Sequence, residues 1–271
     1  MSQRSTFRPI KAYRDETFMN SPTARPIRIL AEYLEPMERF EALHIEDTVL
    51  FFGSARIRSR EEAEERLAAA TTDAERAMAE IGLRMSAYYE ATRELANRLT
   101  LWSKGLKDRG RRFVVCSGGG PGIMEAANRG ASEAQGENVG LGIALPFEQS
   151  GNPYITRKLA FEFHYFFMRK FWFLYLAKAM VIMPGGFGTL DELFEVLTLL
   201  QTKKTRKVLP IVLFGTDYWD EVIDIGAMAR HGMINPEDLA LVHRTNSVDD
   251  AFDYITERLQ SYAMRSPGGS L

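Results

Sequence analysis

The sequence has a single cysteine, Cys116, in 271 residues. A lone thiol forms no intrachain disulfide and no multi-thiolate zinc site. Its setting in the apolar run Val114-Val115-Cys116 reads as a small buried core residue. Positive charge is not in excess either: 34 Lys and Arg stand against 36 Asp and Glu, which argues against a nucleic-acid polymer as partner. No apolar run is long enough to span a bilayer, and the N-terminal residues lack the apolar segment of a secretory signal. No membrane partner is expected, and the expected location is the cytoplasm. No internal repeat of solenoid type is present. The dinucleotide fingerprint G-x-G-x-x-G is also missing, because Gly118 and Gly120 would need a glycine at Ile123, and Gly186 and Gly188 one at Asp191. No Gly-Lys-Ser/Thr follows either loop, so a triphosphate-binding P-loop is missing too.

What is present is an ordinary globular composition, 45% hydrophobic and 26% charged, enough to bury a large core. Residues 1–46 mix charges, prolines and scattered aromatics and read as an N-terminal arm. Pro22, Pro26 and Pro36 interrupt it, although Arg28 to Leu43 has helical spacing of apolar residues. Residues 47–262 read as one α/β domain and 263–271 as a flexible tail. Strands are expected at Thr48–Ala55 (an apolar run ending in Gly53-Ser54), Arg112–Ser117, Asn138–Leu145 (closed by Pro146), Leu159–Phe163, the run ending at Met183, Val208–Phe214 and Leu239–Val242. Helices are expected between them, including Tyr218–His231 and Val248–Tyr262, with a polar loop over Glu148–Thr156. This alternation predicts a doubly wound, mostly parallel sheet with helices on both faces, of Rossmann-like type. A helical insertion fills about 59–107, with a break and new N-cap at Thr71-Thr72-Asp73 and a possible bend at Gly82. Its charged first part suggests a solvated helix or a partner surface.

Two strands run into glycine-rich turns that open helices. The first turn is Ser117-Gly118-Gly119-Gly120-Pro121-Gly122. The second is Pro184-Gly185-Gly186-Phe187-Gly188-Thr189. A glycine loop entering a helix N-terminus presents backbone N–H groups and partial positive charge to an anion. Two such loops point to the carboxyl edge of one sheet, where open α/β folds bind ligands. Ser54, after the first strand, lies at the same edge. Arg56 and Arg58 follow it and either meet an anion or are solvated; the second is favoured for Arg58. Thr189 sits at an N-cap position, and Glu192 three residues on completes a capping box, or else is a carboxylate held one turn from a bound phosphate. The helix His164–Ala177 is apolar nearly all round and is expected to be buried, with Arg169 and Lys170 in its middle. A buried Arg169 needs a carboxylate or a phosphate unless it forms a structural ion pair or snorkels.

Together, Gly53-Ser54, the Ser117–Met124 turn, Met168-Arg169-Lys170 and the P-G-G-x-G-T-x-x-E run from Pro184 to Glu192 resemble the LOG family of cytokinin riboside 5′-monophosphate phosphoribohydrolases. The resemblance spans roughly Thr48 to Val242. It implies hydrolysis of the N-glycosidic bond of a nucleoside 5′-monophosphate, giving a free base and ribose 5-phosphate. It further implies Arg169 and Glu192 as the catalytic pair. Phosphate or substrate contacts fall to Ser54, Gly119, Gly120, Met168, Lys170, Gly185, Gly186, Gly188 and Thr189. The family uses no metal and no cofactor, and its usual unit is a homodimer. The long arm and the insertion depart from the compact family members and leave the base open between adenine and a prenylated adenine. A nucleotide or molybdenum-cofactor carrier, or a nucleotide sensor, is the alternative. No lysine is singled out as a Schiff-base site for a decarboxylase.

Overall fold

The computed structural model describes residues 8–106, 110–144 and 151–269. The expected strand end at Leu145 and Pro146, the loop start at 148–150, the insertion's end at Lys107, and the last two residues of the tail lie outside them. Among the described residues, seven strands form one sheet in the order β4-β3-β2-β1-β5-β6-β7. They are β1 (Thr48–Phe52), β2 (Val114–Ser117), β3 (Asn138–Ile143), β4 (Ala160–Phe163), β5 (Ala177–Ile182), β6 (Ile211–Phe214) and β7 (Val242–Thr245). Every pairing is parallel, so the expected "mostly parallel" sheet is wholly so. The helices are α1 (Glu16–Met19), α2 (Arg25–Ala42), α3 (Arg60–Ala69), α4 (Asp73–Lys104), α5 (Ile123–Glu133), α6 (Phe166–Leu176), α7 (Phe187–Gln201), α8 (Thr216–Val222), α9 (Ile225–Arg230) and α10 (Val248–Arg258).

The central strands are apolar throughout because both faces are covered. Successive residues alternate between two cores. Leu50, Phe52, Met180 and Ile182 pack with Trp172 and Phe173 of α6 and Leu193 of α7. Val49, Phe51, Ala179 and Val181 pack with Leu95 and Leu99 of α4, Ala126 and Ala127 of α5, and Ile255 of α10. The chain winds outward from β1 to β4, then returns to the other side of β1 for β5. The order therefore reverses between β1 and β5, and the crevice above their carboxyl ends is where such sheets take ligands.

Several boundaries differ from those read in the sequence. The arm's helix runs through Pro36, and Pro26 sits at the helix start, where a missing N–H costs nothing. The arm docks on the sheet's helix layer: the Glu32 carboxylate accepts from the N–H groups of His164 (2.8 Å) and Tyr165 (3.2 Å), and Trp172 Nε1 donates to the Glu32 carbonyl at 2.9 Å. The break before α4 is as expected, with Thr72 and Glu75 forming a reciprocal capping box. The helix then continues across Gly82 to Lys104. The expected helix 218–231 is two helices, because Asp224 leaves the first and caps the second through Ala227 N at 2.7 Å. The expected strand 239–242 is a 3-10 turn over Pro236–Leu241, opened by an Asn235/Asp238 capping box, and the strand begins only at Val242. The sixth strand starts at Ile211 rather than Val208. The expected buried helix around Arg169 is exposed at its start, with Phe166 and Phe167 about half accessible (52% and 55%). Among the described residues no helix is long and apolar enough to cross a membrane.

Candidate active site

Four segments meet at the crevice. Ser54, one residue beyond Gly53 at the end of β1, stitches three of them. Its N–H donates to the Pro184 carbonyl at 2.9 Å, and its carbonyl accepts from Ile123 N at 3.1 Å. Its hydroxyl accepts from Arg56 N at 3.1 Å. The loop after β2 is held from behind by a buried amide network. Ser117 Oγ donates to Asn128 Oδ1 at 2.7 Å, and Asn152 Nδ2 reaches the carbonyls of Gly119 and Gly120, both at 3.1 Å.

Consecutive residues on α6 point about 100° apart, so Met168, Arg169 and Lys170 diverge. Met168 is buried in the core. Arg169 turns to the crevice; its Nε donates to the Leu141 carbonyl at 2.8 Å and its guanidinium lies 5.0 Å from the Phe173 ring centroid. The backbone of Gly118 lies directly beneath it: a Cβ there would be 2.6 Å from Arg169 Nη2, so a side chain at this position would displace the guanidinium. Lys170 points along α7 and pairs with Asp191 at 2.8 Å and Glu195 at 3.0 Å. Burial pushes its ammonium pKa down, but the two carboxylate hydrogen bonds outweigh that and the net shift is upward.

The second glycine loop makes the start of α7. The helix begins at Phe187 with Gly186 as N-cap, three residues before the N-cap that the sequence pattern suggests. Thr189 is therefore not the N-cap, and Thr189-Leu190-Asp191-Glu192 is not a capping box. Thr189 sits in the first turn with its hydroxyl folded back on the loop; a Cβ at Gly185 would meet that oxygen at 2.1 Å. The first turn of α7 contains no acid, and its leading N–H groups lack acceptors within the helix. Thr189 and Glu192, three apart, share one helix face, and both are buried (6% exposed). Burial drives the Glu192 carboxyl up to about 7, against the opposing pull of Lys170 and Arg169; Glu195 and Asp191 add to the rise.

These groups line one cavity of about 1160 Å³: Ser54, Arg169, Gly185, Gly186, Gly188, Thr189 and Glu192 share it. Gly119, Gly120, Met168 and Lys170 do not line it. Arg56 and Arg58 both line it, and Arg58 stands 3.7 Å from Glu62. The far wall was not legible in the sequence. Met78, Ile81, Gly82 and Met85 of α4 and Arg66 of α3 form it, so the insertion is part of the site. The spacing of Met78, Ile81 and Met85 on one helical face was the available signal. Cys116 is buried beneath, and burial pushes its thiol pKa up. Among the described residues no group of three or more His, Cys, Asp or Glu could hold a metal ion.

The family model described as "Possible lysine decarboxylase" matches residues 124–255, which take in Arg169 and the whole run to Glu192 but not Ser54. The chain is similar to the cytokinin riboside 5′-monophosphate phosphoribohydrolase LOG7 of Arabidopsis thaliana, 30% identical over 188 residues, covering 64% of this chain and 80% of that one. It is also similar to the pyrimidine/purine nucleotide 5′-monophosphate nucleosidase of Escherichia coli (strain K12), 30% identical over 153 residues, covering 49% of this chain and 33% of that one. Among solved structures, the molybdenum cofactor binding protein from Rippkaea orientalis aligns at a TM-score of 0.46 with 16% identity, over 79% of this chain and 98% of that one.

Proposed function

The chain belongs to the LOG family, and from that premise we propose that it hydrolyses the N-glycosidic bond of a nucleoside 5′-monophosphate to the free base and ribose 5-phosphate. The observation that carries this reading is the buried Glu192 carboxylate on the same helix as an anion-binding N-terminus. Glu192 lies five positions beyond Phe187, roughly 7 Å along the axis. A phosphate seated on Gly185, Gly186, Gly188 and Thr189 then sets the sugar beside Glu192.

Phosphate binding supplies positioning energy remote from the bond that breaks. Arg169 enters the same cavity and adds charge for the phosphate or the ribose hydroxyls. As the C1′–N bond lengthens, the bonding pair leaves with the base and positive charge builds on C1′ and the ring oxygen. Ionised Glu192 stabilises that charge and orients a water, whose oxygen bonds to C1′. The water's proton passes to Glu192, and the departing nitrogen takes a proton from solvent. The adenine, plain or substituted, lies toward Met78, Ile81 and Met85. The reading includes a cytoplasmic location and a homodimer. Exposed Phe166 and Phe187 on the cavity, exposed Phe167 next to them in sequence, and Leu30 and Leu34 on α2 are surfaces a second subunit would cover.

The experiment is a comparison of AMP with adenosine. Because the phosphate positions the sugar, kcat/KM for AMP is expected to exceed that for adenosine by at least about 1000-fold. Tight AMP binding without release of adenine would make the protein a carrier or sensor instead.

The pH profile is a second expectation. The working form of Glu192 is the carboxylate, and its pKa is raised to about 7. Below that value the group is protonated, so kcat/KM falls about tenfold per pH unit toward acid and levels off above neutrality. A profile flat from pH 5 to 8 would remove Glu192 from the rate-determining chemistry.

A further inference from the structure

We propose that Tyr218 is a positioning residue of the phosphate loop, acting through the Gly185 carbonyl. Its phenolic hydroxyl donates to Gly185 O at 2.8 Å, a contact 33 residues distant in sequence. The inference rests on the proposed function only for its kinetic arm; its binding arm needs no turnover.

The Gly185 carbonyl and the Gly186 N–H belong to one planar peptide and point in opposite directions. Fixing the first therefore aims the second. Neither glycine has a side chain to hold that plane, and a Gly-Gly peptide is free to rotate unless something external holds it. The Gly186 N–H stands at the head of α7, among the donors the helix itself leaves unused. With the carbonyl turned to Tyr218, this N–H is presented to an anion at the helix start.

Tyr218 is itself rigidly placed. Its neighbour Trp219 is fully buried and donates from Nε1 to the Phe214 carbonyl at 2.9 Å. The two rings meet edge to face with centroids 5.0 Å apart. Gly215, at φ 92°, opens α8 directly against the Pro184 ring. On the other side, Ser54 N holds the Pro184 carbonyl at 2.9 Å. Two successive carbonyls of the loop are thus held by the scaffold. Tyr218 also lines the cavity, but its effect passes through the peptide and not through the reacting atoms.

The test is Tyr218→Phe, which keeps the ring against Trp219 and removes only the hydroxyl. KM for AMP and Kd for ribose 5-phosphate, the latter by calorimetry, are expected to rise together by about tenfold, the worth of one well-placed hydrogen bond to an anion-binding element. The kcat is expected to stay within about twofold, with the affinity for free adenine and the pH midpoint unchanged. An unchanged Kd for ribose 5-phosphate, or a fall in kcat at constant KM, would overturn the inference. If the wild type binds ribose 5-phosphate but releases no base, the hydrolase reading fails and the Kd comparison still decides the role of Tyr218. If the wild type binds no ribose 5-phosphate, both fail.

Discussion

Glu192→Gln is expected to lower kcat/KM for the nucleotide by about 1000-fold while leaving the affinity for ribose 5-phosphate within a few-fold. In the proposed mechanism the phosphate is held by backbone N–H groups of the glycine loop, which the substitution does not touch, and the transition-state charge at C1′ is met by the carboxylate, which the amide does not replace. Losses of this size are usual when one aimed charge or one general base is removed from a water-poor site. The same variant is expected to be more stable than the wild type at pH 8. The Glu192 carboxyl titrates near 7 in the folded chain, above its ordinary 4.5. The folded state therefore holds that proton more tightly than the unfolded one. The resulting stabilisation is present below pH 4.5 and is lost as pH rises through 7, where burying the ionised group costs on the order of 3 kcal/mol. Glutamine never ionises and escapes that cost. Denaturant unfolding at pH 8 and pH 5 reads the difference, which is expected to shrink toward acid. A variant with full activity, or one less stable at pH 8, would contradict the assignment.

The second large effect is at the opposite end of the sheet. Asp47 precedes β1 and is fully buried. It pairs with Arg112 and with Lys178 Nζ at 3.5 Å, and accepts from Gly268 N at 3.2 Å. Arg112 Nη2 donates in turn to the Ala263 carbonyl at 2.7 Å, and Lys178 Nζ to the Ser266 carbonyl at 2.8 Å. The described part of the tail, expected from sequence to be frayed, is thus pinned over a buried ionic cluster. A third cation, Lys207, lies close by, with burial and the charge of Lys178 pushing its ammonium down to about 7. Asp47→Ala removes the carboxylate and leaves Arg112 and Lys178 buried around the gap. The expected cost is about 3–5 kcal/mol of folding stability, together with faster proteolysis at 263–269. Activity of the folded protein is expected to be unchanged, because the site lies at the carboxyl ends of the same strands. A cost below about 1 kcal/mol would mean that water replaces the carboxylate and that the cluster does not hold the tail.

The contrast between the two ends of the sheet explains what the sequence made legible. Parallel strands covered on both faces need continuous apolar runs, so Val49–Phe52 and Val181–Met183 stand out without any partner being known. The glycine turns stand out because a backbone packed against another backbone has no room for a Cβ, as at Gly122, where one would stand 2.4 Å from the Ser54 carbonyl oxygen. Other features depend on tertiary contacts and leave weaker traces. Thr189 and Glu192 have the spacing of a capping box, yet the helix starts at Phe187, and that pattern alone cannot separate a cap from a site face. Lys170 lies in the same short run as Arg169, but helical geometry turns it toward Asp191 and Glu195. Met78, Ile81 and Met85 have the spacing of one apolar helix face, and that spacing does not tell a core contact from the cavity wall they form. Tyr218 carried no signal at all, since its partner is a main-chain oxygen far back in the chain. The break at Asp224 and the turn at Asn235 were written in capping residues that a reading of apolar periodicity passes over.

The most direct measurement is product analysis of the wild-type protein incubated with AMP and with other nucleoside 5′-monophosphates, separating base, nucleoside, ribose 5-phosphate and orthophosphate. The expected result is free base and ribose 5-phosphate in equal amounts from at least one nucleotide, with no nucleoside formed. Recovery of every nucleotide intact, or of nucleoside with orthophosphate, would contradict the assignment of Glu192 and Arg169 to cleavage of a glycosidic bond.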